Sequence, residues 1–389
     1  MSSSALPFDV IIIGAGPAGT SAALSFQTAQ LRVLLLDQYE FPREKMCGDH
    51  IPRRAVEVLK RINPDLSEPF DRLPVHLRTY RTRLATDHGD PFELESEIPA
   101  YTCRRECYDE MLLNLVKDHT DVEVHEGEKV LSLVQESDHV LVQTAVGKYH
   151  AKMVIGCDGS RSLTSKYLRG EETDRKYFGA AIRAYYQGVG GMAMDRTEIF
   201  IQKKHLPGYF WLFPLPDGQV NAGFGIRTRI ASRRKLDLKE TMHAFIEASP
   251  ELKERFTEAS LVSQMEYELP FSSQQVPVSG NQVLLAGDAA SLFDPFSPEG
   301  ISHATLSGHL AALQVIRCFE DERFDGDYLK AYDTTLWKGL GSGIRQKKLG
   351  PPNGCNLPWL SGSQSPYDSV CTSQAIGPSL PVIEGRGYR

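Results

Sequence analysis

The stretch that decides the fold is DVIIIGAGPAGTSAALSFQTAQLRVLLLDQ, residues 9–38. Its first apolar run, Val10–Ile13, is continuous and rich in β-branched residues, which is typical of a strand buried on both faces. A glycine-rich turn and a helix with small residues follow, and a second run, Val33–Leu36, predicts the next parallel strand. That strand ends at Asp37 and Gln38, where we expect a carboxylate to accept a hydrogen bond from a ribose hydroxyl.

The turn after the first strand has the G-x-G-x-x-G spacing, formed by Gly14, Gly16 and Gly19, with Pro17 and Ala18 between the last two. In such a unit the first glycine permits a tight turn, the second lets the backbone approach a pyrophosphate, and the third lets helix and strand pack closely. The N–H groups at the helix N-terminus then face the phosphates. A glycine-rich turn without a ligand is the alternative, but the two strands and the terminal acid favour a dinucleotide site.

Two later strand ends indicate that the dinucleotide is FAD rather than NAD. A strand predicted over Met153–Gly156 leads to Asp158 and Gly159, and another predicted over Val283–Ala286 leads to Asp288. Acids at distant strand ends suit a long, extended ligand, and Asp288 is placed to bind the ribityl hydroxyls. Taken alone, each would be an ordinary aspartate in a turn. Their order along the chain is what supports the FAD interpretation.

A loop that contains Pro295 leads from the last of these strands to a helix that opens at Gly300 and Ile301. The N-terminus of a helix carries a partial positive charge. We therefore expect this helix to point at the electron-rich pyrimidine side of a reduced isoalloxazine.

The totals of the sequence exclude several functional classes. The chain has 389 residues and a formal net charge of −7, which disfavours a nucleic-acid partner because a phosphate backbone requires a basic face. The seven cysteines include no CxxC pair, which indicates reduced thiols in a cytoplasmic protein and predicts no metal site. Without a signal segment or a bilayer-length apolar run, we expect at most peripheral membrane contact.

Three stretches together resemble the geranylgeranyl reductase family of FAD-dependent oxidoreductases. FPREKMCGD, residues 41–49, is similar to that family's PRxKxCG(G/D) loop; PGYFWLFPLPDGQVNAGFG, residues 207–225, to its Y-x-W-x-F-P strand pair; and DPFSPEGISHATLSGHLAA, residues 294–312, to its P-x-x-G-E-G-I loop and following helix. The resemblance covers roughly residues 8–335. Pro298 stands where the family has glycine, which stiffens that loop.

The resemblance implies positions for the residues of the first stretch. It places Arg43, Lys45, Cys47 and Gly48 near the pyrophosphate and the flavin, with the two cations suited to phosphate charge. Cys47 is then a proton donor or a polar contact for the reacting alkene, and the alternative is a small packing residue. His50 is the weaker candidate and is expected to be a surface or phosphate-contacting histidine.

Two further cofactor contacts are implied by the resemblance. Arg105, four residues before Asp109 on a helix predicted within residues 101–119, would reach the phosphates, although an i,i+4 surface ion pair is the alternative. The backbone at Val130 would lie along the adenine.

The strand over residues 207–225 places three aromatic side chains on one face, because successive side chains alternate. Tyr209, Trp211 and Phe213 either form part of a packed sheet core or, as the resemblance implies, form the wall of a substrate cavity. We list them with Cys47 as the candidate catalytic residues.

The predicted fold class is α/β. A Rossmann-like FAD-binding domain of the glutathione-reductase and aromatic-hydroxylase type is interleaved with a mostly antiparallel β-sheet substrate domain. The predicted segments are residues 1–75, 101–175 and 268–335 for the first, residues 76–100 and 176–267 for the second, and 336–389 for a C-terminal extension. Within the extension, residues 350–389 are expected to be extended or disordered because Pro, Gly and Ser dominate them. A single helix is expected over residues 236–257.

The resemblance implies an enzyme that reduces C=C bonds of an isoprenoid, geranylgeranyl-type chain by hydride transfer from reduced FAD. The expected partners are a hydrophobic or lipid substrate and a transient reductant, either NADPH or a low-potential electron donor protein. An FAD-dependent monooxygenase acting on a hydrophobic or aromatic substrate is the first alternative, and a halogenase-like enzyme is a lesser one. A non-catalytic flavin-binding protein is the third.

Overall fold

The computed structural model describes residues 8–67, 76–87, 89–170, 178–270, 276–293 and 300–340. Residues up to Asp333 form one compact unit, and a second unit begins at Thr334. The first unit contains two mixed sheets with helices, so the predicted α/β class is confirmed. The proposed assignment of chain segments to two discontinuous domains stays a prediction, and residues 350–389 lie outside the described residues.

Sheet A is the sheet of the first strand–helix–strand unit. Its strands are β1 (Phe8–Ile13), β2 (Val33–Leu36), β6 (Glu123–His125), β7 (Val130–Gln135), β8 (Val140–Thr144), β9 (Lys148–Gly156), β15 (Ser279–Gly280) and β16 (Val283–Leu285). The central order is β15-β16-β9-β1-β2-β6, and β7 and β8 form a hairpin that pairs with β9. Strand β1 pairs in parallel with β2 and with β9, so it is covered on both edges and both faces, as its apolar run predicts.

Sheet B has the order β14-β10-β13-β12-β11-β4-β5-β3. Its strands are β3 (His50–Ile51), β4 (Leu77–Thr86), β5 (Phe92–Thr102), β10 (Phe178–Gln187), β11 (Arg196–Ile201), β12 (Tyr209–Pro214), β13 (Gln219–Arg227) and β14 (Ser260–Pro270). All its pairs are antiparallel except that of β11 with β4, which fits the predicted mostly antiparallel sheet.

The helices are α1 (Pro17–Leu24), α2 (Arg53–Ile62), α3 (Arg105–His119), α4 (Leu163–Arg169), α5 (Thr228–Arg234), α6 (Leu238–Ala248), α7 (Pro250–Arg255), α8 (Ile301–Glu320) and α9 (Gly326–Gly339). The prediction of a single helix over residues 236–257 was wrong. Asp237 caps α6, Ser249 caps α7, and Pro250 separates the two because proline has no backbone N–H to continue a helix. In the described part of the chain, no helix is long and apolar enough to cross a membrane.

The two faces of sheet B differ in character because its side chains alternate. One face packs against α5, α6 and α7 through a buried apolar cluster, in which Phe210 stacks on Phe245 with ring centroids 5.3 Å apart. The opposite face carries Tyr209, Trp211 and Phe213 of β12 together with Asn221 and Arg183, because these positions are paired across β12, β13 and β10. Polar groups are therefore concentrated on the face that does not form the helix-covered core.

Helices α1 and α8 approach each other without room for a side chain at Gly308. A Cβ atom at this position would lie 2.0 Å from the carbonyl oxygen of Ala18. The Gly19 position is equally tight, since its Cβ would lie 1.7 Å from the carbonyl oxygen of Gly14. Backbone contact of this kind fixes α1 against both the turn and α8.

We predict that Gly308→Ala lowers the free energy of unfolding by about 1–3 kcal/mol, because overpacking outweighs the roughly 1 kcal/mol gain in helix propensity. Urea or thermal unfolding measures the change. Gly147→Ala is the matched control, since its Cβ would meet only Tyr149 Oη at 4.0 Å. A Gly308→Ala protein as stable as the control would contradict the tight approach.

Candidate functional site

The glycine-rich turn has the geometry of a backbone cradle. Gly14 has φ +101°, and a Cβ atom there would lie 2.4 Å from the carbonyl oxygen of Cys157, at the end of β9. Asp37 closes the turn, because its Oδ2 accepts a hydrogen bond of 2.7 Å from the N–H of Ala15. Burial raises the pKa of Asp37. Gly16 then opens α1, with Pro17 and Ala18 in its first turn.

Arg43 places a positive charge beside this cradle. Its Nη2 lies 3.6 Å from where a Cβ atom of Gly16 would be, and its Nη1 lies 3.2 Å from Oδ2 of Asp109. Its Nε is buried and has no hydrogen-bond partner among the described residues. A bare glycine turn, free helix N–H groups and a cation with an unused donor suit a pyrophosphate.

The predicted adenosine side is less completely defined. Gln38 is exposed and follows Asp37, whose carbonyl oxygen accepts a hydrogen bond of 2.8 Å from the N–H of Glu128. Val130 opens β7 two residues later. The chain therefore brings Val130 close to the end of β2, and contact between these residues and an adenosine stays a prediction.

Asp158 stabilises the start of α4. Its Oδ1 accepts a hydrogen bond from Ser162 Oγ (2.5 Å), and its Oδ2 accepts one from the N–H of Thr164 (3.0 Å). Gly159 follows with φ +79°, in the left-handed region that glycine adopts freely. Cofactor contact by Asp158 and Gly159 stays a prediction, because both carboxylate oxygens of Asp158 already accept hydrogen bonds from within the chain.

Asp288 differs from Asp158 in the surroundings of its carboxylate. It lies just after β16, and within the described ranges no group forms a hydrogen bond or ion pair with its carboxylate. Gly287 beside it donates its N–H to Ser307 Oγ of α8 at 2.9 Å. Gly300 and Ile301 open α8 as predicted, whereas Pro295 and Pro298 lie outside the described residues. An unpaired acid at this strand end suits a polyhydroxyl ligand.

Residues 43–49, which we call the crossing loop, lie against the polar face of sheet B. Lys45 Nζ donates a hydrogen bond of 2.7 Å to Tyr267 Oη on β14, and Glu44 accepts one of 2.8 Å from Arg183 Nη2 on β10. The crossing loop then reaches Asn221 of β13, whose Nδ2 donates to the carbonyl oxygen of Cys47 at 2.9 Å. Three strands thus fix its position.

Gly48 brings the crossing loop to the aromatic strand β12. A Cβ atom at Gly48 would lie 3.1 Å from Phe213 and 3.6 Å from the indole nitrogen of Trp211. Trp211 in turn covers Gly223 on β13, where a Cβ would lie 2.1 Å from its ring, and Tyr209 lies beside Trp211 with ring centroids 5.9 Å apart. The structure therefore joins the two stretches that sequence reasoning could relate only by resemblance.

A buried carboxylate, Asp49, organises this junction and was absent from the predicted site residues. Its Oδ2 accepts hydrogen bonds from Tyr185 Oη (2.6 Å) and Asn221 Nδ2 (2.8 Å), and its Oδ1 accepts one from the N–H of Arg105 (3.2 Å). Asn221 also accepts a hydrogen bond of 2.9 Å from Trp211 Nε1. Burial raises the pKa of Asp49. Its place within the quoted FPREKMCGD stretch was the one available sequence signal.

Cys47 is half-buried and lies beside Arg105. Burial raises the pKa of the Cys47 thiol, and the Arg105 guanidinium, which is in hydrogen-bonding contact with it, acts in the opposite direction. Arg105 itself makes a buried bidentate ion pair with Asp109, with both bonds at 2.8 Å. The i,i+4 pair left open by the sequence is therefore formed, but in the interior, and phosphate contact by Arg105 stays a prediction.

Arg105 and Lys45 also line a cavity of about 210 Å³. Its other lining residues are Glu44, Arg104, Glu106, Tyr185, Val262 and Ser263. Tyr185 lies between the guanidinium groups of Arg104 and Arg183, whose central carbons are 4.2 and 3.9 Å from its ring centroid. The cavity therefore shares Tyr185 and Arg105 with the Asp49 network.

The glycine cradle, the cation beside it and the acid after β16, which has no partner among the described residues, define an FAD-binding flavoprotein. The family described as "FAD binding domain" matches residues 7–334, and the chain belongs to that family. Among curated relatives, a menaquinone reductase of Mycolicibacterium smegmatis is 28% identical over 78% of this chain and 75% of its own length. A digeranylgeranylglycerophospholipid reductase of Methanosarcina acetivorans is 28% identical over 78% of this chain and 74% of its own length.

Solved structures bear out the fold. A geranylgeranyl bacteriochlorophyll reductase-like protein of Thermoplasma acidophilum has a TM-score of 0.74 at 23% identity, covering 85% of this chain and 83% of that one. A point mutant of the halogenase PltM in complex with FAD has a TM-score of 0.73 at 16% identity, covering 87% of this chain and 75% of that one. The predicted relationship to geranylgeranyl reductases is confirmed, and the chain is an FAD-dependent oxidoreductase.

We predict that Asp49→Asn lowers the free energy of unfolding by about 1–3 kcal/mol, because the new amide N–H₂ faces the donors of Tyr185 and Asn221. Chemical unfolding of the flavin-loaded protein measures the loss. Asp217→Asn is the control: Asp217 forms an exposed ion pair with Arg104, worth about 0–1 kcal/mol. Equal losses in the two variants would show that the Asp49 network is not a buried anchor.

His50 gives a pH-dependent prediction. It packs against Phe213 with ring centroids 5.4 Å apart, and burial lowers its pKa from 6.5 to about 4. Below pH 6.5 the unfolded chain therefore takes up a proton that the folded chain does not, so stability falls towards pH 4. We predict that His50→Gln reduces this acid-dependent loss by up to about 3 kcal/mol.

The measurement is the free energy of unfolding at several pH values between 4 and 7 for wild type and His50→Gln. His243→Gln serves as the control because His243 is exposed on α6. If the His50→Gln curve runs parallel to that of wild type, burial of the His50 imidazole does not contribute to acid sensitivity.

Proposed function

We propose that the chain reduces carbon–carbon double bonds in the isoprenoid chain of a lipid or quinone. The observation that carries the proposal is the seating of the crossing loop, with Cys47, on the aromatic strand β12. The names of the relatives, reductases of menaquinone and of digeranylgeranylglycerophospholipid, support this substrate class.

In this proposal the aromatic side chains of β12 position the substrate. Trp211 and Phe213 are largely buried, at 6% and 8% exposed, and Tyr209 continues their row. A row of rings offers an apolar surface along which a prenyl chain can lie, and it keeps water away from an unactivated double bond. Held in this way, the alkene loses little further entropy on the path to reaction.

Bound FAD, once reduced, supplies the hydride for one alkene carbon. The other carbon needs a proton, and we propose the Cys47 thiol as its source. Because burial raises the pKa of Cys47, the group stays protonated near neutral pH and has a proton to donate. The adjacent guanidinium of Arg105 would then stabilise the thiolate that remains.

The source of electrons belongs to the proposal as well. NADPH or a low-potential protein donor would reduce the flavin in a transient complex, since the sequence carries one dinucleotide fingerprint. We also propose a cytoplasmic location, with at most peripheral contact to the membrane in which such substrates reside.

The test is an anaerobic single-turnover experiment on the chemically reduced flavoprotein. We predict that geranylgeranyl diphosphate reoxidises the flavin, and that mass spectrometry shows a product that has gained hydrogen atoms in pairs. Cys47→Ala should slow reoxidation by about 100-fold or more, the usual value of a general acid, while flavin remains bound. Cys107→Ala, at a half-buried cysteine on α3, is the control.

Each outcome separates the alternatives. Reoxidation that requires air and is stimulated by a hydrophobic or aromatic compound would replace the reductase with a monooxygenase or halogenase-like enzyme. Anaerobic turnover at the wild-type rate in Cys47→Ala would support the reductase function and would show that water, not Cys47, supplies the proton.

A further inference from the structure

Three potential metal ligands converge at the turn between β7 and β8, on sheet A. Nε2 of His139 lies 2.8 Å from Oε2 of Glu136 and 3.0 Å from Nδ1 of His150. The ligand atoms of all three residues lie within 4.8 Å of one another. Glu136 and His139 belong to the turn, and His150 belongs to the neighbouring strand β9. None of the three takes part in the candidate flavin site.

The hydrogen bonds of His139 leave a lone pair at the centre of this cluster. Its other ring nitrogen, Nδ1, lies 2.8 Å from Oδ1 of Asp138, which can accept a hydrogen bond from it. With the hydrogen on Nδ1, the Nε2 lone pair faces a carboxylate oxygen and a second imidazole nitrogen. A metal ion among these three atoms would accept a lone pair from each of them at once, which a single hydrogen cannot do.

A metal ion satisfies all three groups at once. Zinc–nitrogen and zinc–oxygen bonds of about 2.0–2.1 Å at tetrahedral angles place ligand atoms roughly 3.3 Å apart. The observed separations of 2.8 and 3.0 Å need to open by only a few tenths of an ångström, which small rotations of the Glu136 side chain and of the two imidazole rings provide. The contact between His139 and Asp138 is the outer carboxylate–histidine interaction that orients metal-bound imidazoles.

The turn that holds these ligands is anchored from the interior. Gln282 is 6% exposed, and its Nε2 donates hydrogen bonds to the carbonyl oxygens of Asp138 (2.7 Å) and Lys152 (2.9 Å). One side chain therefore ties the β7–β8 turn to β9, the strand that carries His150. Ligands on elements fixed in this way are held in position before a metal arrives, which is the condition for tight binding.

We propose that Glu136, His139 and His150 bind a divalent transition metal ion, with zinc as the chemical type and water in the fourth position. Two imidazoles and one carboxylate favour zinc, cobalt or nickel over the oxygen-seeking magnesium and calcium. The site lies away from the crossing loop in sequence, and the proposal is independent of the proposed reductase function. Its expected role is structural, since the ion would link the hairpin to β9.

The test uses the full-length flavin-loaded protein, stripped with a chelator and dialysed against micromolar zinc chloride. Elemental analysis is expected to give about one tightly bound zinc per chain in wild type. His139→Ala and His150→Ala should lose it, and Glu136→Gln should weaken it. Asp138→Asn should reduce zinc affinity by roughly 10-fold or more, through loss of the outer hydrogen bond. His243→Ala, at an exposed histidine on α6, is the control and should bind zinc as wild type does.

Flavin absorbance and melting temperature without zinc verify that each variant is folded. A zinc-dependent rise in melting temperature that is present in wild type and in His243→Ala, and absent in the His139 and His150 variants, supports the site. Wild type that binds no zinc at micromolar concentration would overturn it. So would zinc retained at full stoichiometry in both His139→Ala and His150→Ala.

Discussion

The contact between backbone atoms at the start of the chain is the constraint on which the rest of the structure depends. Gly14 lies against the carbonyl of Cys157, and Gly19 lies against the carbonyl of Gly14, with no space for a Cβ at either position. These contacts hold β1, β9 and α1 together, and Gly308 extends the same close approach to α8. The ends of β2, β9 and β16 and the start of α8 lie near these contacts, and several of the residues predicted to bind FAD are at these ends.

The crossing loop connects the end of β2 to sheet B. It follows β2 and is fixed to β10, β13 and β14 by three hydrogen bonds, Arg183–Glu44, Asn221–Cys47 and Lys45–Tyr267. Asp49 is the interior anchor of the loop, because a buried carboxylate requires donors and finds them on Tyr185, Asn221 and the backbone of Arg105. The predicted cofactor side and the predicted substrate side are thus joined by one short segment of chain.

Much of this could be predicted from sequence, because local patterns determine it. The first strand–helix–strand unit, the start of α8 and the alternation along β12 all follow from apolar periodicity and glycine spacing. The Asp49 network could not be predicted, since its hydrogen bonds join residues 136 and 172 positions apart. The cluster of Glu136, His139 and His150 could not be predicted for the same reason. The pairing of β8 with β9 brings His150 to the β7–β8 turn, and the spacing of the residues in the sequence does not show this. The prediction of a single helix over residues 236–257 was wrong for a local reason, because Pro250 interrupts it.

The raised pKa of Cys47 has a consequence for the lifetime of the enzyme. Reduced flavins that meet oxygen release hydrogen peroxide, and a cysteine at such a site is exposed to that by-product. Peroxide attacks the thiolate and hardly the thiol, so a raised pKa keeps most Cys47 side chains in the form that resists oxidation to sulfenic acid. The proposed proton donor would therefore tolerate this side reaction of a bound flavin, which a cysteine with a lowered pKa would not.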